Sequence, residues 1–374
     1  MFVKIRAMAA MPIEQSVADA SFRIRAGAVP RISSIVVRAE ADDGTLGFGV
    51  VETVPPFFFP RAAALAILDA VARVVVGQDA MAPNAAMSAF DGAMRTRNMH
   101  ALPVRAALEC ALCDLQARCL GLPLHGLLGG ALHTRMPTSV IVPLRAPDEL
   151  GPYVVAILDR GVRVLKVKVD GTPDLDVARV AAVRAAAGES VAITVDANGA
   201  YEAKTAIRVI NRMEPYDIAL FEQPVGRHDR EGLAVVTRAT NVAIEADESA
   251  GSMFEIRDLV RRRAVDSICL RMPRLGGVQA ALFAARFCLE EGVKFRFGMC
   301  FMPSLGQAAI AHVAATLPEV FIAHEIPEAH AYGEDPFDGT VVKDGMITVD
   351  SSAPGLGLSP LPDRNDFTVL ATAA

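Results

Sequence analysis

No stretch of this 374-residue chain runs for about 18 uninterrupted apolar residues, and even 61–76 is broken by Arg61, Asp69 and Arg73, so no membrane-spanning helix is expected. Nothing basic accumulates either. The 37 Lys and Arg are scattered among 43 Asp and Glu for a net charge of −6, which gives no face for nucleic acid. The N-terminal apolar run is too short for a secretory signal and soon meets Glu14, so a cytoplasmic location is expected. Seven histidines show no paired metal-ligand spacing. Cys110 and Cys113 form one C-x-x-C with no second pair at zinc-site spacing. Those two, with Cys119, Cys269, Cys288 and Cys300, sit in apolar surroundings and read as reduced, buried thiols. No G-x-G-x-x-G opens a helix after the first strand, which argues against a dinucleotide fold.

What is there is apolar and periodic. Hydrophobic residues make up 52% of the chain, enough for a large core. The length suits one barrel of roughly 250 residues plus a smaller unit. Residues 1–50 read as strands with a tight turn at Asp43-Gly44, and 60–120 as Ala-rich helices, together an α+β domain over 1–130. From there the rhythm becomes strand–helix alternation: a first run at 138–143, then VLKVKV (164–169), VAITVDAN (191–198), IALFEQP (218–224), VAIEADES (242–249), SICLRMP (267–273), VKFRFGMC (293–300) and VFIAHEI (320–326). Eight parallel strands predict a closed βα barrel over 131–330. The turn-rich segment 331–374 is expected to return to the N-terminal domain.

Charged residues fall where these strands end. Lys166 and Lys168 close the second strand, Asp196 the third, Glu222 the fourth, Asp247 the fifth and Arg271 the sixth, at successive gaps of 28, 26, 25 and 24 residues from Lys168 onward. Barrel active sites are built at the carboxyl ends of strands, so these groups converge on one mouth. Three carboxylates there repel one another unless a cation sits among them. A hard divalent ion with oxygen ligands fits, Mg²⁺ first and Mn²⁺ as a substitute, on Asp196, Glu222 and Asp247. Lys166 and Lys168, two positions apart, point to the same face, where two ammonium groups should depress one another's pKa and leave one a neutral base. A lysine base beside such an ion suits removal of a proton α to a carboxylate. His324 and Glu325, near the end of the eighth strand, are further candidates for the pocket.

The residues K-V-K (166–168), V-D-A-N (195–198), F-E-Q-P (221–224), A-D-E-S (246–249), R-L-G-G (274–277) and P-G-L-G (354–357), with A-L-x-D-L…G-L-P-L-x-x-L-L-G-G over 111–130, resemble the muconate lactonizing enzyme-like branch of the enolase superfamily along nearly the whole chain. The resemblance implies a (β/α)₇β modified TIM barrel with an α+β N-terminal capping domain completed by the C-terminal segment. It also implies a small-molecule carboxylate bound on Mg²⁺, and a homo-oligomer. By the same resemblance Asp196, Glu222 and Asp247 are metal ligands, Lys168 is the acid/base catalyst and Lys166 its electrostatic partner, with Asn198 and Glu248 beside the metal. The departure is Arg271, where this branch usually carries a second lysine. Arginine is a poor proton shuttle and a good fixed cation, which turns the expectation toward one-face chemistry: muconate-cycloisomerase-like cycloisomerisation or β-elimination. Racemisation or epimerisation of an N-substituted amino acid or dipeptide is the competing reading, followed by a non-catalytic carboxylate-binding relative and a Schiff-base aldolase. Met302 replaces a frequent glutamate and predicts an apolar pocket wall. Arg23 and Arg25 are candidates for a second anionic group, and the aromatic run Pro55–Phe59 for a lid.

Overall fold

The computed structural model describes residues 3–19, 22–25, 27–53, 59–96, 101–298, 300–318, 320–327, 331–337, 341–359 and 362–373. Most of the aromatic run at 55–59 therefore lies outside the described residues, as do Met299, His100 and His330.

Strands Ile5–Ser16, Arg31–Ala41 and Leu46–Glu52 form an antiparallel meander, the last two joined through Asp43-Gly44, where the Asp43 carboxylate accepts from Thr45 N at 2.8 Å. The far edge is completed by Thr368–Thr372, antiparallel to the first strand. Helices Arg61–Val75, Pro83–Thr96 and Leu102–Cys119 accompany this sheet. The last of them lies directly on strand Leu46–Glu52. A Cβ at Gly49 would stand 1.9 Å from the Ala107 carbonyl oxygen, so glycine is required for that approach.

Seven parallel strands follow in sequential order: Val140–Val142, Val164–Lys168, Ala192–Asp196, Ile218–Glu222, Ile244–Ala246, Ser267–Leu270 and Lys294–Phe297. Their near-continuous burial explains why the sequence runs are apolar rather than alternating. The gap between the last and first strands is bridged by residues 321–325. Phe321 N and Glu325 N donate to Phe295 and Phe297 on one side, while His324 N donates to Pro137 O at 3.1 Å and Ser139 N to His324 O at 2.9 Å on the other. Ile322, at φ 68°, interrupts the extended backbone, so this eighth run closes the barrel without forming a regular strand. The C-terminal segment meets the capping domain at several points: Gly333 N donates to Ser16 O at 2.9 Å, Leu356 N donates to Asp114 at 2.8 Å, and Thr368–Thr372 pairs with the first strand. Between them Val341–Lys343 and Met346–Thr348 make a hairpin that pairs instead with Arg135–Pro137.

Candidate active site

Lys166, Asp196, Glu222 and Glu325 make a buried ionic cage at the carboxyl end of the barrel. Lys166 Nζ lies 3.0 Å from Asp196, 2.7 Å from Glu222 and 2.7 Å from Glu325. Burial alone would discharge Lys166, but the three carboxylates outweigh it and push its pKa well above the ordinary lysine range. The expected mutual depression of the two lysines is therefore not what the cage does to Lys166: it is a locked cation. Lys168 pairs with Asp196 and donates to Asn198 Oδ1 at 3.2 Å. Asn198 itself stands at φ 41°, a conformation Asn tolerates, and its amide donates to Asp196 and to Glu248, the latter at 3.0 Å.

Beneath the cage lies Arg296, fully buried in a strand whose sequence, KFRF, gave no hint of a catalytic neighbourhood. Its guanidinium reaches Glu222 at 2.5 Å, Glu245 at 2.7 Å and Glu325 at 2.7 Å. Burial would raise Glu325, yet Arg296 and Lys166 hold it down to about 2. His324 is not a pocket residue: its Nδ1 accepts from Phe297 N at 3.1 Å and its ring packs against Phe297, while burial and Arg296 lower its pKa to about 3. It secures the closing segment, and Glu325 beside it carries the charge. Met302 is also buried away from the mouth, so the apolar wall there is Phe301. Arg23 and Arg25 border an open groove outside the mouth, and Arg25 donates to the Asn198 carbonyl at 3.3 Å.

Asp247 faces the other half of the mouth. Arg271 donates to both its oxygens, Nε at 2.9 Å, and Arg274 adds a third bond at 2.9 Å. Burial would raise Asp247, but these guanidiniums hold it well below the usual carboxylate range. The Asp247 backbone N–H is fixed in turn by Gln223 Oε1 at 3.0 Å, the work of the glutamine in F-E-Q-P. Room for Arg271 comes from Gly298, where a Cβ would fall 2.3 Å from Cys269 Sγ and 3.1 Å from Arg271 Nε. A residue that sequence reasoning missed is Glu52, at the end of the capping strand. It is buried, accepts a hydrogen bond from Phe301 N, and borders a cavity shared with Arg271 and Arg274. Burial lifts its pKa to about 7, with Arg271 opposing. An acidic residue just before the proline-rich sequence VPPFFFP was the available signal.

The donor set suits a hard cation. Oxygens of Glu222 and Asp247 lie with Cys269 Sγ within 4.8 Å of one another, and Asp196, bridged to Glu222 by Lys166, stands outside that group. Glu222 Oε1 and Glu248 Oε2 are buried with no hydrogen-bond partner. Burial and the neighbouring Asp196 push Glu222 well above its ordinary range, a cost that a cation among the acids would remove. Burial pushes the Cys269 thiol well above its ordinary range, and the other donors around it are carboxylate oxygens, the ligand chemistry of a hard cation.

Residues 8–129 match the mandelate racemase/muconate lactonizing enzyme N-terminal domain, and residues 153–364 the enolase C-terminal domain-like family. The chain belongs to the mandelate racemase/muconate lactonizing enzyme family. It is an enzyme of the isomerase class, in the muconate lactonizing enzyme-like branch of the enolase superfamily. Among its relatives, the D-Ala-D/L-Ala epimerase of Cytophaga hutchinsonii is 29% identical over 343 residues, 90% of each chain. The dipeptide epimerase of Enterococcus faecalis V583, solved with Mg and L-Leu-L-Tyr, superposes with a TM-score of 0.88 at 28% identity, over 96% of this chain and 100% of that one. The muconate lactonizing enzyme of Pseudomonas fluorescens, solved with muconolactone, gives 0.90 at 26% identity over 98% of both chains. The epimerase relatives favour the reading that the sequence ranked second.

Proposed function

We propose that this family member is a Mg²⁺-dependent epimerase that removes the proton α to the carboxylate of a dipeptide or other N-acylated amino acid and returns a proton to the opposite face. The observation that carries the reading is the placement of Lys168 and Arg271. They leave the second and sixth of eight barrel elements, half a turn apart, with the strands that end in Asp196, Glu222 and Asp247 between them. Asp196, Glu222 and Asp247 would hold the ion, and Mn²⁺ would fit the same oxygens. Mg²⁺, when bound, supplies the positive charge that an enolate of a carboxylate needs. Lys168 takes the α-proton, aimed by Asp196 and Asn198. Lys166, already saturated by carboxylates, keeps its proton and balances the charge of the mouth. Arg271, protonated and on the opposite side of the carbon, would supply the proton returned to that face and recover it from solvent.

One observation favours a second reading. Arg271 is fixed to Asp247 by two hydrogen bonds, and although burial opposes its charge, Asp247 pushes its pKa well above the ordinary range. A guanidinium so held suits a reaction on one face, such as cycloisomerisation of an unsaturated diacid or syn β-elimination. Incubation with Mg²⁺ in D₂O across dipeptides, N-acyl amino acids and unsaturated diacids separates the two. Deuterium at the α-carbon with inverted configuration supports the epimerase. Deuterium with retention, or lactone formation from a diacid, moves the assignment to one-face chemistry. No exchange and no product from any member overturns both.

A further inference from the structure

A cavity of ≈ 500 Å³ opens beside the catalytic pocket and shares Ile141, Phe301 and Glu325 with it. That volume lies within the roughly 300–1,000 Å³ typical of small-molecule sites. Its walls include Val17 and Phe22 of the capping domain, Val140 and Ile141 of the first barrel strand, Ala156 and Ile157 of helix Pro147–Leu158, and Tyr332 of the C-terminal segment. None of the catalytic steps uses it.

The charges on its wall are largely spoken for. Asp19 accepts from Arg145 at 3.0 Å and from the Tyr153 hydroxyl at 3.3 Å, and the Arg145 guanidinium lies 4.3 Å from the centre of the Tyr153 ring. Glu325 is held by Lys166 and Arg296. With Arg160, the lining carries two acids and two arginines, which cancel. Between these groups the surface is aliphatic and aromatic: Phe22 packs edge-on to Phe301 at 6.5 Å, and Ile24, Ile32, Phe301 and Tyr332 form a small core of their own behind it. An ionic substituent entering here would break an existing pair or stay uncompensated, whereas an apolar one would only displace water.

We propose that this cavity receives an uncharged, apolar arm of the substrate, an alkyl or aromatic group carried on the acyl or N-terminal side of the carboxylate bound at the barrel mouth. The inference rests on the reading that the mouth binds a carboxylate. It deepens that reading by naming the substrate class, bulky apolar rather than acidic, and by assigning Ala156 as the residue that sets the depth of the arm's pocket.

N-acyl derivatives of 2-aminoisobutyrate test the proposal without turnover, because their α-carbon has no proton to lose. Calorimetric titration in Mg²⁺ buffer would compare acetyl, butanoyl, hexanoyl and succinyl derivatives. The expected result is an affinity that rises about fourfold for each added methylene, with the succinyl compound weaker than butanoyl. Ala156 is exposed on its helix, so Ala156→Trp places an indole in the cavity without demanding core space, and it is expected to flatten the chain-length gain at least tenfold between acetyl and hexanoyl. Circular dichroism checks that the variant is folded, and Ala156→Val gives an intermediate slope. Binding of all acyl compounds with no dependence on length, or tighter binding of the succinyl compound, overturns the inference and leaves the carboxylate site standing. Absence of Mg²⁺-dependent binding by every member overturns the underlying reading as well.

Discussion

Lys166 and Lys168 sit two residues apart on one strand, yet their surroundings make them chemically unequal. Three carboxylates close on Lys166, whereas Lys168 keeps the edge of the pocket with Asp196 and Asn198. Lys168→Ala is therefore expected to lower α-proton exchange about 10²–10⁴-fold, read as deuterium uptake, with substrate binding retained. Arg271→Lys puts an exchangeable ammonium in place of a guanidinium that barely gives up its proton. The fraction of exchanged product with inverted configuration is expected to rise, and an unchanged ratio would show that position 271 moves no protons.

Glu52 offers a pH test in metal-free protein. Its pKa is raised in the folded state, from 4.5 to about 7, so the folded protein holds a proton across that window that the unfolded chain has lost. Stability then falls as pH rises from 4.5 to 7, and the loss is complete above it. Glu52→Gln avoids that loss, with a gain on the order of 3 kcal/mol at pH 8 and almost none at pH 4, measurable by urea denaturation. The acids proposed to hold the metal were legible in the sequence because barrel geometry places strand-end charges at one mouth. Arg296 was not, because nothing local marks a single charge in KFRF as buried, and the place of Glu52 before a proline-rich stretch does not show its burial.

At the scale of elements, seven barrel strands were readable because burial on both faces leaves an apolar run between helix-length spacers. The eighth run was readable as apolar and not as irregular, since the positive φ of Ile322 answers to hydrogen bonds from two different strands. The hairpin 341–348 pairs with 135–137, about 200 residues earlier, and a contact that remote leaves no periodic trace. The approach of helix Leu102–Cys119 to strand Leu46–Glu52 depends on glycine, so Gly49→Ala must push the two apart. It is expected to cost about 1–3 kcal/mol, seen as a lower melting temperature with activity per folded molecule little changed.

For the whole molecule, the acids that converge on the mouth are expected to make the fold respond to Mg²⁺. Ion supplied at about 100 times its Kd should add about 2.7 kcal/mol to the unfolding free energy, and Asp247→Asn should abolish most of that gain. Calorimetric scans with EDTA and with Mg²⁺ read it directly, and equal melting temperatures would remove the metal assignment. No helix among the described residues is long and apolar enough to cross a membrane.

The antiparallel partnership of Thr368–Thr372 with residues 7–10 has a consequence for synthesis. The first strand leaves the ribosome with one edge open, and the strand that seals it follows some 360 residues later. At roughly 5–20 residues per second, that edge waits between about 20 and 70 s. The barrel is complete by then, so the cap is finished last, and a ribosome stalled short of residue 368 holds a nearly finished enzyme whose exposed strand can pair with the next nascent chain on the same message.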